Sequence, residues 1–126
     1  MSLAEKISNA ELEVMRILWR EKRPVSFADI RGELQHAKGW EKSTINTLIR
    51  RLADKEVITA QKQGVLHYTY NISEVEYIQS EEQSMIDKLY NGSVKNFVAA
   101  LCKRGKLSET DIDELKDFFK MGGGSE

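Results

Sequence analysis

The 126-residue chain holds one cysteine, one proline and two histidines, so the residues that most often build cross-links, rigid turns and metal sites are nearly absent. A lone Cys102 excludes an internal disulfide and any multi-cysteine metal cluster. His36 and His67 fall in no metal-ligand spacing, and no glycine-rich loop is present to cradle a phosphate. No nucleophile stands with a placed acid or base, and Asp111 and Asp113 read more simply as the first turn of a helix. The pattern therefore argues against an enzyme and against a metal or other cofactor. No stretch approaches the roughly 18 uncharged apolar residues of a membrane span. The opening Met1-Ser2-Leu3-Ala4-Glu5-Lys6 lacks the apolar core of a signal peptide. A cytoplasmic protein with no membrane partner is the expectation.

Net charge is also scarce, at −1, but the average hides an asymmetry. Residues 1–72 carry 12 Lys/Arg against 9 Asp/Glu, whereas residues 73–126 carry 7 against 11. Such a field speaks to partners rather than to fold: the first part suits phosphates, and the second keeps the chain soluble.

What the chain does have is helix signals. Four serines are followed three positions on by an acid: Ser8 with Glu11, Ser26 with Asp29, Ser73 with Glu76 and Ser108 with Asp111. In each, the serine oxygen can satisfy an orphan amide while the acid reaches back to the cap. Each leads into an apolar run of helical period. Helix 1 is expected over Asn9–Glu21, helix 2 over Phe27–Gln35 and helix 3 over Lys42–Lys55, the last with Ile45, Leu48, Ile49 and Leu52 inward. The period then changes. Ile58–Lys62 and Leu66–Ile72 alternate, with Gln63 and Gly64 between them, and read as a β-hairpin. Three more helices follow: Glu74–Tyr90, Val94–Lys103 and Glu109–Lys120.

Three helices and then a hairpin is the order of a winged helix-turn-helix domain. The expected fold is mostly α with a small β-hairpin: residues 7–72 form that domain, 73–120 a short all-helical dimerisation domain, and 121–126 a disordered tail. In a helix-turn-helix the second helix of the motif enters the major groove. Here that is helix 3, whose outer face carries Lys42, Ser43, Thr44, Asn46, Thr47, Arg50 and Arg51 with no acid between the first and the last. An Asn pairs with adenine, an Arg with guanine, and a Thr methyl meets a thymine methyl. Lys62 and His67 are candidate wing contacts to the backbone. The competing reading is a winged-helix module that binds protein rather than an operator. The C-terminal helices carry more apolar surface than three short helices bury alone, so Ile78, Met85, Leu89, Phe97, Leu101, Leu115, Phe118 and Phe119 are candidates for a homodimer interface.

Two segments are rather specific: Ile7-Ser8-Asn9-Ala10-Glu11-Leu12-Glu13-Val14-Met15-Arg16-Ile17-Leu18-Trp19 and Trp40-Glu41-Lys42-Ser43-Thr44-Ile45-Asn46-Thr47-Leu48-Ile49-Arg50-Arg51-Leu52. With Tyr68-Thr69-Tyr70, they make the chain resemble the penicillinase-repressor (BlaI/MecI) family of bacterial transcriptional regulators over residues 7–119. The resemblance implies a homodimeric repressor that binds a palindromic operator in double-stranded DNA. It also implies relief by a sensor-linked protease that cuts an Asn–Phe bond, here Asn96-Phe97. The chain departs from the family in places. The family usually begins its recognition helix Trp-Ser-Pro-Lys-Thr, whereas this chain reads Trp40-Glu41-Lys42-Ser43-Thr44, and Gly64-Val65 stands where the family wing often has Gly-Arg.

Overall fold

The computed structural model describes residues 7–120, with side chains to residue 118. The expected disordered tail and the side chain of Phe119 lie outside the described residues. The elements run α1 (Asn9–Glu21), β1 (Val25–Ser26), α2 (Phe27–Lys38), α3 (Lys42–Asp54), β2 (Ile58–Gln63), β3 (Val65–Tyr70), α4 (Glu74–Tyr90), α5 (Val94–Lys103) and α6 (Glu109–Lys120). Two compact units divide at Glu82/Gln83, inside α4.

In the first unit, α1 to α3 close over a three-stranded antiparallel sheet of order β1-β3-β2. Helix α1 starts at a complete capping box: the Ser8 oxygen accepts from Glu11 N, and the Glu11 carboxylate accepts from Ser8 N. It ends in a left-handed Lys22. Helix α2 runs past the expected Gln35 to Lys38, because its stop signal is Gly39 at φ 69°, a conformation that glycine adopts without a Cβ clash. Strand β1 is an addition to the sequence reading. It has only two residues, Val25 facing Tyr68 and Ser26 facing His67, so it offers no period to read. The same Ser26 then caps α2.

The core gathers Val14, Leu18, Ile30, Ile45, Ile49, Leu52 and Val57, all essentially sealed from solvent. Each such side chain contributes about 1.5–3 kcal/mol on leaving water. Trp19 closes the far end, where its indole N–H donates to the Ile72 carbonyl at 2.9 Å and its ring lies 5.5 Å from that of Tyr77. These contacts hold the first turn of α4 within the first unit. At the surface, Arg20 of α1 grips both carboxylate oxygens of Glu33 on α2 at 2.6 Å. The guanidinium holds the Glu33 carboxyl below its ordinary range, and Glu21 likewise.

The second unit comprises the end of α4, then α5 and α6. Asn91 and Gly92 both take positive φ where α4 ends, and Ser93 caps α5 by accepting from Asn96 N. The rings of Tyr90 and Phe97 meet at 5.4 Å. Among its described residues only Ile86 is buried. Leu89, Val94, Val98, Leu115 and Phe118 stand 40–63% exposed.

Candidate nucleic-acid interface

Helix α3 presents two unlike faces. Ile45, Leu48, Ile49 and Leu52 are at most 6% exposed and root it in the core. Opposite them Lys42, Ser43, Thr44, Asn46, Arg50 and Arg51 are exposed, and Thr47 is half-buried. The Thr47 hydroxyl donates to the Ser43 carbonyl at 2.9 Å. Its proton is thus spent within the helix, leaving a methyl and an acceptor lone pair to face outward. At 100° per residue Ser43, Asn46, Thr47 and Arg50 share one stripe, with Arg51 beside it.

The electrostatics set this face apart. In the first unit Arg16 pairs with Glu13, Arg20 with Glu21 and Glu33, and Arg23 with Glu21, while Arg31 lies over the Phe27 ring. The side chains of Arg50 and Arg51 make no ion pair or hydrogen bond among the described residues. Glu13, Glu21 and Glu33 pair with other arginines, and Asp54, one turn further along α3, makes no ion pair with either. The start of α3 is equally open. Glu41 occupies the cap with no side-chain hydrogen bond, and the first turn holds no acid. Its free amide groups and helix dipole both favour an incoming anion.

The hairpin that follows turns on Gly64, at φ 78°. Its register pairs Lys62 with Leu66 and Gln61 with His67. Successive side chains on a strand point to opposite faces, so Lys62 and His67, both candidate wing residues, are not brought together. Lys62 is exposed near the tip, whereas His67 is half-buried in the central strand, its Nδ1 2.9 Å from the Val65 carbonyl. The tip itself is apolar: Val65 is 65% and Leu66 47% exposed. Leu66 therefore does not join Tyr68 in the core, although its place in the alternation suggests that it should. The described residues hold no group of three His, Cys, Asp or Glu able to bind a metal, and no helix long and apolar enough to cross a membrane.

The family model described as penicillinase repressor matches residues 7–121. The chain belongs to the penicillinase repressor family. It is 34% identical over 116 residues to the penicillinase repressor of Bacillus licheniformis, covering 91% of this chain and 90% of the relative. It is 37% identical over 115 residues to that of Staphylococcus aureus, covering 90% of each. Among solved structures, the DNA-binding domain of the repressor BlaI matches with a TM-score of 0.51 and 38% identity, over 57% of this chain and 88% of that one. The Bacillus licheniformis BlaI monomeric form in complex with the blaP half-operator matches equally well, with a TM-score of 0.51, 38% identity and coverage of 56% and 87%. The family fold is thus the winged helix built here by α1 to α3 and the small sheet.

Proposed function

We propose that this family member is a homodimeric transcriptional repressor that reads a palindromic operator through α3 and steadies itself on the backbone with the wing. The observation that carries the reading is the α3 face: two arginines without side-chain partners among the described residues, beside Asn46 and Thr47, on a helix with an open N-terminus. That face combines groups that read base edges with charges that seek phosphate. The half-operator complex of the related BlaI supports it.

In this proposal residues 7–72 bind DNA and residues 73–120 dimerise. The second unit, with Ile86 its sole buried residue among those described, gains a core only against a partner. A two-fold dimer places two recognition helices on half-sites one or more helical turns apart. The Asn96–Phe97 bond lies in the first turn of α5, with Asn96 exposed and Phe97 against Tyr90. A sensor-linked protease cutting there would create two charged termini beside an apolar contact and loosen the dimer.

DNA cross-linked to the protein in its native cell tests the function. Sequencing should recover a few promoter sites that share an inverted repeat. Recovery of no shared sequence would reject operator binding.

The wing gives a second expectation. With Val65 after the turn, the hairpin tip offers DNA apolar surface, and the nearest wing charge is the exposed Lys62. Val65→Arg should tighten binding severalfold and steepen the salt dependence by about 0.9 in log–log slope, one added phosphate contact. An unchanged slope in titrations at several salt concentrations would mean that the tip does not approach the backbone.

A further inference from the structure

The most deeply buried charge in the first unit lies away from the DNA-facing side of α3. Glu11, 1% exposed, is the only buried polar or charged side chain among the described residues. Its Oε1 accepts from Ser8 N at 2.9 Å and from Lys55 Nζ at 2.7 Å, and its Oε2 accepts from the same Nζ at 2.9 Å. Ser8 is the N-cap of α1 and Lys55 the C-cap of α3. Immediately after Lys55 the chain reverses through Glu56 at φ 65°, Val57 N–H returns to the Leu52 carbonyl, and β2 begins at Ile58. One ion pair therefore fastens the start of the first helix to the joint from which both the candidate recognition helix and the wing depart.

Stability alone does not account for this arrangement. An apolar pair of similar volume often holds two elements together as well as a buried ion pair does. What the carboxylate adds is direction, because the ammonium sits between its two oxygens while one of them is already fixed by the α1 cap. Base readout depends on such direction, since edge-on hydrogen bonds tolerate small errors of position and angle only. We infer that Glu11 is a positioning residue for sequence recognition: through Lys55 it sets the angle at which α3 and the wing leave the core. The inference rests on the proposed reading of α3.

The test is the double variant Glu11→Gln, Lys55→Met. It keeps the net charge, removes both members of the buried ion pair together, and retains an acceptor for Ser8 N–H. The probes are a duplex enriched from a random pool by the wild-type protein and a scrambled duplex of the same composition. Affinity for the enriched duplex should fall about tenfold, the equivalent of one base contact. Affinity for the scrambled duplex and the salt slope should not change, and Lys55→Arg should retain discrimination. Amide exchange in the folded variant should accelerate at Lys55, Glu56 and Val57 and not in α2. Unchanged discrimination, or parallel weakening on both duplexes, would overturn the inference. If the wild type enriches no duplex, the reading of α3 fails instead. Amide exchange then decides the clamp by itself: unchanged rates at residues 55–57 refute it, and faster rates confined there support it.

Discussion

A variant carrying Leu89→Glu and Leu115→Glu should sediment as a monomer at micromolar concentration and lose operator affinity by about 10²–10⁴-fold, the gain that linking two half-site contacts provides. Both leucines are already exposed in the single chain, at 63% and 44%, so their replacement removes little from the protomer itself. In a dimer the added carboxylates would face an apolar partner surface without counter-charge, which is costly. The one at position 115 would also join an already acidic α6, with Glu109, Asp111, Asp113, Glu114 and Asp117. The first unit has its own core and should keep its thermal transition and its weak affinity for a single half-site. A monomer with undiminished operator affinity would show that the half-sites are not linked through the C-terminal helices. A persistent dimer would place the interface away from these two residues.

Much of this architecture is legible in the chain because its helices are punctuated by side chains that act locally. Ser8, Ser26, Ser73 and Ser108 each cap the helix expected of them. Ser93 does the same for α5, but the residue three positions on is Asn96 rather than an acid, so half of the signature is missing. Strand β1 escapes for a different reason. Its two residues become a strand only because β3 passes beside them, which is a tertiary fact. The inner face of α3 follows from its period alone.

The candidate site divides along the same line. Which side chains point outward from α3 is a local matter, and the structure exposes six of the seven expected there and half-buries Thr47. That Arg50 and Arg51 lack partners is not local. Asp54, at i+4 from Arg50 and i+3 from Arg51, is spaced to pair with either and does not, while Glu33 is drawn to Arg20 across α1 and α2. The strand register that turns His67 away from Lys62 is equally non-local. Glu11 looks like a capping-box acid and no more, because Lys55 lies 44 residues further along the chain.

The central claim, that α3 reads bases, is tested most directly by operator affinity as a function of salt for Arg50→Ala, Arg51→Ala and the double variant. Arg50 falls on the stripe of Ser43, Asn46 and Thr47, so its loss should cost about 1–3 kcal/mol and relax discrimination at one base pair. Arg51 lies to the side, facing phosphate in this account. Its loss should weaken operator and non-specific DNA alike and reduce the salt slope by about one. Neither arginine side chain bonds another group among the described residues, so both variants should unfold at the wild-type temperature. A folded double variant with the affinity, base preference and salt slope of the wild type would contradict the account.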